Sequence, residues 1–325
     1  MTLEDGVHHP LHDNVSMTSP PLTPVLSVVV PSVNTLADVE RALTALERER
    51  HTVPLEILLL DRLGENVRTA VRSRFPIVRI VEAPSTATIP AMRKLAFATA
   101  RGEFVAVIED HVIVPPGWAR ALIDAERAAQ AAASTGEAIV GGSVENAATQ
   151  RVVDWAAFLC EYSHCLQPLP RGPSSWITGN NVIYPRALLG RYLDRLSPYA
   201  WENHLHDMMR ADGVVLMMCP EITVGHEKYY TLREYLSQRY QYARSYAAAR
   251  VANASLARRA AVGAAVAALP PLLFARTVAR IWAKRRHRLQ LFLSLPYIAV
   301  FVIAWTFGDV VGSWFGAGDS FQKVC

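Results

Sequence analysis

The sequence predicts an α/β fold, in which helices flank a mainly parallel sheet and a set of hydrophobic helices follows at the C-terminus. Apolar runs rich in β-branched residues, such as residues 25–30, alternate with runs of helical spacing, such as residues 36–50. Strands that alternate with helices imply right-handed crossovers and a parallel sheet. Beyond about residue 231, two long uncharged runs replace this alternation. Only 19% of the residues are charged, and a chain this apolar can bury enough surface to fold.

The ends of the predicted strands carry the polar residues that a ligand site needs. We predict strands at 25–30, 55–60, 78–82, 104–108, 138–144, 177–184 and 214–218, with helices at 36–50, 67–73, 89–100, 119–133, from about 202 to 213, and at 232–250. Pro31 is expected to end the first strand. Ligands of parallel sheets bind at the carboxyl ends of the strands. The polar residues there are Ser32 and Asn34, then Asp61, and then Glu109, Asp110 and His111.

The cysteines and the N-terminal residues exclude two other kinds of protein. The four cysteines are sparse and have no metal-binding spacing, so they indicate reduced, mostly buried thiols rather than a disulfide scaffold. Residues 1–24 are polar and rich in proline, with acidic residues where a signal peptide needs a basic start. We therefore do not expect a protein that is exported by a signal peptide. We predict a disordered arm there, in which His8, His9 and His12 are solvated.

The charge of the chain is divided unevenly. Between Tyr235 and Gly308 there is no acidic residue, and eleven Lys and Arg residues give this stretch a net charge of +11. Because the whole chain has a net charge of +4, the rest of the chain carries −7. The basic residues flank an uncharged run at 260–275, which contains two prolines, and another at 289–308. Twenty residues are enough to span a hydrocarbon core of ~30 Å. This pattern favours a membrane surface over nucleic acid, with the first run interfacial or re-entrant and only the second able to span.

The predicted helix at 232–250 has two interpretations. Tyr235, Arg239, Tyr242 and Tyr246 share one helical face. That face suits an ordinary packing helix with a solvated basic side. It also suits a helix in the headgroup layer of a membrane, where Tyr and Arg are both favoured.

Five segments occur in the order typical of one enzyme family. They are VLSVVVPSVN, LLLD, IPAMRKLAFATARGEFVAVIEDHVIVPPGW, TGNNVIYPRALL and WENHLHDMMRADG. From Val25 to Glu227 the chain resembles the family 2 inverting glycosyltransferases of the GT-A fold. The resemblance implies a GT-A domain at 25–231, a membrane-associated region at 232–325 and a nucleotide-sugar donor, with a UDP-sugar favoured. It also implies a lipid-linked or polysaccharide acceptor of the cell envelope, at the cytoplasmic side of the cell membrane.

The resemblance also implies a metal site. The family has a D-x-D motif before a PPGW-like turn, and this chain has Glu109-Asp110-His111 there. Glu109 and His111 would then bind Mn²⁺ or Mg²⁺, with His226 as a further ligand, and imidazole suits Mn²⁺ better than Mg²⁺. A polar loop in an inactive relative is the alternative interpretation.

The remaining site residues also follow from the resemblance. Those expected to bind the donor are Pro31, Asn34, Asp61, Arg93, Asp110 and Asn180. Glu202 is the expected general base, because Asn203 replaces the second acid of the family's acidic pair. Trp201 beside it would stack on the acceptor or belong to the core.

Two other functions remain open from the sequence. One is a non-catalytic relative that serves as a membrane scaffold or binds glycans, since two of the family's acids are replaced. The other is a nucleotidyltransferase, which is disfavoured because no glycine-rich phosphate loop follows the first strand.

Overall fold

The computed structural model describes residues 23–324, so nearly all of the predicted N-terminal arm, with His8, His9 and His12, lies outside it, as does Cys325. The strands are β1 (Leu26–Ser32), β2 (Leu55–Asp61), β3 (Arg79–Glu82), β4 (Phe104–Val107), β5 (Val112–Ile113), β6 (Ala138–Asn146), β7 (Gly172–Pro173), β8 (Val182–Pro185) and β9 (Val215–His226). The α-helices are α1 (Leu36–Glu49), α2 (Glu65–Arg74), α3 (Ile89–Thr99), α4 (Trp118–Ala132), α5 (Val152–Tyr162), α6 (Arg186–Gly190), α7 (Glu202–Ala211), α8 (Leu232–Arg250), α9 (Leu256–Ala267), α10 (Pro270–Ala283), α11 (Arg288–Phe315) and α12 (Ser320–Lys323).

One mixed sheet organises the fold. Its strand order is β3-β2-β1-β4-β8-β6-β9-β5, and β7 pairs with β9. The four strands from β3 to β4 are parallel, as are β6 and β9, whereas β8 runs antiparallel to both β4 and β6. Most paired residues are in parallel pairs, so the predicted α/β architecture is confirmed. The carboxyl ends of β1, β2 and β4 meet at one edge of the sheet, where the candidate site forms.

Three strand predictions were wrong in their boundaries. β1 continues through Pro31 to Ser32, because at that point it pairs only with β2 and β4 has already ended, and a missing N–H is tolerated on an unpaired strand side. The predicted strand at 177–184 is regular only from Val182, since Thr178 and Asn180 hydrogen-bond to each other in the turn before it. β9 has 12 residues instead of five and reaches His226.

The C-terminal helices complete the main hydrophobic core. Ile281 of α10 and Leu291, Ile298 and Phe301 of α11 are almost fully buried in the same cluster as the strands β1, β2 and β4. By length and composition, α11 qualifies as a membrane-crossing helix, and the α9–α10 pair, bent by 58°, would count as one further span. These helices therefore pack on the α/β part of the chain, residues 23–231.

Glu126 on α4 is a buried carboxyl group that lowers stability at high pH. Burial raises the pKa of Glu126 to about 9 from 4.5. Between these values the folded chain keeps a proton that the unfolded chain has lost, so stability falls as the pH rises through this window. As the pH rises through this window, we expect the free energy of unfolding of the wild type to fall relative to that of Glu126→Gln, by up to about 1.4 kcal/mol per pH unit.

Chemical denaturation of both proteins at pH 5 and pH 8 measures this difference. Asp124→Asn, on the exposed side of the same helix, is the control and should show the pH dependence of the wild type. A pH dependence that is unchanged in Glu126→Gln would contradict the assignment.

Candidate functional site

Two strand ends bring three potential metal ligands together. Glu109 and His111 follow β4, and His226 is the last residue of β9. β5 starts directly after His111, and its Val112 pairs with His226, which fixes the two imidazoles side by side. The ligand atoms of Glu109, His111 and His226 all lie within 4.8 Å of one another. The sequence-predicted metal residues thus form one cluster.

The tautomer of His111 follows from its hydrogen bonds. Its Nδ1 lies 3.0 Å from Asp110 Oδ1 and 3.2 Å from Asn34 Nδ2. Asn34 Nδ2 already donates to the same Asp110 oxygen at 2.6 Å, and an ionised carboxylate only accepts. Nδ1–H therefore donates to Asp110, and Nε2 of His111 is directed at Glu109 Oε2 (3.4 Å) and His226 Nε2 (3.0 Å).

The pKa values of this cluster diverge. Burial and then the neighbouring His111 hold the pKa of His226 well below its usual range, so His226 is neutral and able to ligate. Burial disfavours the charged form of His111, but the Asp110 hydrogen bond and the Glu109 carboxylate raise its pKa overall. Burial likewise opposes ionisation of Asp110, yet hydrogen bonds from His111, Val33 and Asn34 lower its pKa.

The cluster fits a divalent first-row cation. Two nitrogen ligands of one ion lie ~3 Å apart when bonds of ~2.1 Å meet at a right angle, which agrees with the 3.0 Å between the two Nε2 atoms. Imidazole and carboxylate together suit Mn²⁺ and its neighbours better than Mg²⁺. Asp110 supplies the outer hydrogen bond that metal-binding histidines almost always have.

Glu109 is held by a residue that the sequence did not reveal. Its Oε2 accepts from Tyr162 Oη at 3.1 Å and from Asn180 Nδ2 at 2.9 Å. Asn180 was expected at the site, whereas Tyr162 ends α5, a helix that was not predicted. The apolar spacing of VVDWAAFLC indicates that helix, but nothing local to Tyr162 indicates its contact with Glu109.

Glu202 lies at the N-terminus of α7 and is paired with Arg93. Arg93 Nη1 donates to Glu202 Oε2 at 2.5 Å. Burial opposes ionisation of Glu202, but the Arg93 charge, a backbone hydrogen bond and His206 together lower the pKa of Glu202. Gly179 makes room for this side chain, since a Cβ there would lie only 2.2 Å from Glu202 Cγ. Glu202 is thus ionised and fixed in position.

A cavity of about 230 Å³ joins these groups. Arg93, Glu109, Asn180 and Glu202 line one side, and the side chains on the other come from the C-terminal helices: Arg239, Tyr242 and Tyr246 of α8 and Trp305 of α11. Tyr235, on the same face of α8, is fully buried. Of the two interpretations of α8, the structure therefore supports the packing helix, since its Tyr/Arg face is directed inward.

Trp201 is part of the core. It is 3% exposed and stacks on Tyr246 with ring centroids 5.3 Å apart. The C-terminal residues Phe321 and Val324 pack in the same cluster, and Arg62 donates to the Val324 carbonyl at 2.6 Å. This contact holds the C-terminal residues against the loop that follows β2.

Asp61 and two further polar side chains, those of Lys94 and Asn181, have hydrogen-bond partners within the protein. All acceptor positions of Asp61 are taken, by Ser32 Oγ, the amides of Leu63 and Gly64, and Arg68, so binding a nucleotide would require one of these bonds to break. Pro31 is a buried strand residue. Lys94 donates to the Leu196 carbonyl, and Asn181 bonds the Ser143 and Ile222 carbonyls and Trp118. The donor contacts of Asp61 and Pro31 stay predictions.

Comparison with known proteins identifies the domain. Residues 27–171 match the family model described as glycosyl transferase family 2. The chain carries a family 2 glycosyltransferase domain. The mannosyltransferase PcManGT from Pyrobaculum calidifontis, solved with GDP-Man and Mn²⁺, is similar in structure at a TM-score of 0.50 and 17% identity, over 88% of this chain and 87% of that one. This likeness confirms the predicted GT-A fold of the glycosyltransferase domain.

A second solved structure is more distant. TarS residues 1–349 from S. aureus has a TM-score of 0.46 and 13% identity, over 88% of this chain and 90% of that one. No curated protein matches this sequence.

The Asp110 carboxylate should control metal affinity through His111. In Asp110→Asn, one carboxylate oxygen becomes an NH₂ group that faces N–H groups which now donate hydrogen bonds to Asp110. The hydrogen bond that orients His111 and fixes its tautomer would then be lost. Loss of such an outer partner typically costs 10–100-fold in metal affinity, so we expect Mn²⁺ binding, measured by titration calorimetry, to weaken by about that factor.

Asp207→Asn removes an exposed carboxylate and is the matched control. Unchanged Mn²⁺ affinity in Asp110→Asn, with a folded protein by circular dichroism, would show that Asp110 does not position His111.

Proposed function

We propose that this protein is a membrane-associated inverting glycosyltransferase. It transfers a sugar from a nucleoside-diphosphate sugar to a lipid-linked or polysaccharide acceptor at the cytoplasmic face of the cell membrane. The observation that carries the proposal is one cavity that contains both Glu109 of the metal cluster and the ionised Glu202. The family 2 domain supports the reaction class.

Glu109, His111 and His226 would hold Mn²⁺ or Mg²⁺. Such a cation neutralises the charge that develops on the leaving diphosphate. Asn180 lines the cavity. Its Nδ2 donates to Glu109 Oε2 at 2.9 Å and to Tyr162 Oη at 3.1 Å, and its Oδ1 accepts from Thr178, so the remaining lone pair of Oδ1 can accept a hydrogen bond from a sugar hydroxyl. The Nε atom of Arg93 and the Nε1 atom of Trp201 are buried, and each is without an acceptor among residues 23–324. Both residues line the cavity, so their N–H groups suit oxygen-rich ligands.

Two nucleotides are candidates for the donor. The family resemblance favours a UDP-sugar, whereas the mannosyltransferase with a similar fold was solved with GDP-Man and Mn²⁺. Both nucleotides therefore belong in any binding test.

Glu202 is the proposed general base. Inversion requires the acceptor hydroxyl to attack the anomeric carbon on the face opposite the diphosphate. As the new C–O bond forms and the bond to the diphosphate breaks, the hydroxyl proton passes to Glu202 Oε. Arg93 keeps this carboxylate ionised before the step and fixes its position.

Glu202→Gln should separate binding from transfer. The amide keeps the shape of the side chain but cannot take the proton, so we expect the transfer rate to fall by roughly two to four orders of magnitude. Donor binding should persist, because the metal cluster is unchanged. Thermal shift with UDP- and GDP-sugars, each with and without Mn²⁺, measures binding, and release of the nucleoside diphosphate measures transfer.

Asp207→Asn, five residues along α7, is the control and should keep the wild-type rate. Transfer at a near wild-type rate in Glu202→Gln would remove Glu202 from the mechanism. A wild-type protein that responds to no donor, with or without Mn²⁺, would instead favour a non-catalytic scaffold or glycan-binding protein.

A further inference from the structure

The described part of the chain concentrates its exposed apolar surface in three helices. Of its 17 large hydrophobic residues that are well exposed, eleven lie on α9, α10 and α11. We name them the C-terminal apolar surface: Leu256, Leu272, Trp282, Leu289, Phe292, Leu293, Val300, Ile303, Phe307, Trp314 and Phe315. A concentration of this kind marks an interaction site.

α11 has two distinct faces. Phe292, Ile303 and Phe307 are 59–69% exposed, whereas Ile298 and Phe301, between them in sequence, are fully buried. The buried face packs along α8 at very close range. A Cβ on Gly308 would lie 2.3 Å from the Tyr240 carbonyl oxygen, and a Cβ on Gly312 would lie equally close to that of Arg244.

Polar contacts hold α11 to the rest of the protein at both of its ends. Just before α11, Arg286 pairs with Glu145 at 2.6 Å, and the ring of His287 contacts Trp155. Towards its C-terminal end, Asp309 pairs with Arg250 of α8, and Arg244 of α8 donates to the Gly316 carbonyl.

These contacts oppose a membrane-spanning position for α11. If α11 crossed a bilayer while packed as it is, the arginines of α8 would enter the hydrocarbon with it. Charged side chains at that depth are costly and rare. Only the outward face of α11 is free to contact lipid.

The charges around this surface complement an anionic membrane. Arg258, Arg276, Arg285 and Arg288 are exposed on or beside the three helices, and Asp309, the first acid after Glu234, is already paired with Arg250. Exposed arginines around an apolar face favour anionic headgroups, because the aliphatic stems follow the apolar surface while the guanidinium groups reach phosphate.

We propose that the C-terminal apolar surface docks on one leaflet of an anionic bilayer without crossing it. α9, α10 and α11 then lie in the plane of the membrane, with α8 and the catalytic cavity on the aqueous side. Both ends of α11 are on the same side of the membrane. This inference rests on the membrane association in the proposed function and specifies its geometry.

Vesicle binding tests the surface. The full chain is sedimented with phosphatidylcholine vesicles, and with vesicles in which about one third of the lipid is phosphatidylglycerol. We expect binding to the anionic vesicles that weakens as salt rises from about 0.1 M to about 1 M. The double variant Phe292→Glu, Phe307→Glu should bind at least about tenfold more weakly, because two charges replace two exposed rings that would enter the bilayer. Ile77→Glu is the matched control, because Ile77 is also an exposed apolar residue but lies between α2 and β3, outside the C-terminal apolar surface.

Cysteine labelling distinguishes docking from spanning. Arg285→Cys and Gln322→Cys lie beyond opposite ends of α11 and are exposed in the wild type; each is made in a Cys325→Ser background. In sealed inside-out membrane vesicles from expressing cells, a membrane-impermeant maleimide should label both positions. Labelling of only one position before permeabilisation would show a span and overturn the proposal.

Failure to bind either kind of vesicle would also overturn it. Donor binding by the same preparation, measured by thermal shift without lipid, is independent of both experiments. A protein that binds donor and Mn²⁺ but no vesicles would therefore refute the docking surface alone.

Discussion

The candidate site depends on the hydrogen bonds that the buried carboxylate of Asp110 accepts. It accepts hydrogen bonds from the backbone N–H groups of Val33 and Asn34 at 2.7 and 2.8 Å, from the Asn34 side chain at 2.6 Å and from Nδ1–H of His111 at 3.0 Å. These bonds join the loop after β1 to the loop after β4. They also set the His111 tautomer, so that its Nε2 faces Glu109 and His226. A fully buried carboxylate is stable only with such a complete set of donors.

The site is completed by parts of the chain that lie outside the family 2 domain. Arg239, Tyr242 and Tyr246 of α8 and Trp305 of α11 form one wall of the cavity. The same two helices bury apolar surface against the core that the strands β1, β2 and β4 form. The C-terminal region is therefore a structural part of the candidate site, and this explains why an apolar helix of spanning length has one face packed on protein.

The sequence was most informative where the pattern is local. The helix from Leu232 to Arg250 agrees with the prediction to the residue, because its capping box and helical spacing are both local signals. Glu109 and His111 were expected from a strand end and the family resemblance, and His226 from the resemblance; the structure brings the three together. The contacts of Tyr162 with Glu109 and of Arg93 with Glu202 join residues 53 and 109 positions apart, and no local pattern encodes them. The saturation of Asp61 by Arg68 and its neighbours likewise appears only in the folded chain.

Electron paramagnetic resonance of bound Mn²⁺ tests the central claim, that two imidazoles and one carboxylate form the metal site. With the ion bound to the wild type, pulsed measurements should detect nitrogen couplings from His111 and His226. His226→Ala and His111→Ala should each remove one of them, while His204→Ala, on α7, should remove none. Mn²⁺ that binds with oxygen ligands alone, or with the same nitrogen couplings in all four proteins, would contradict this account.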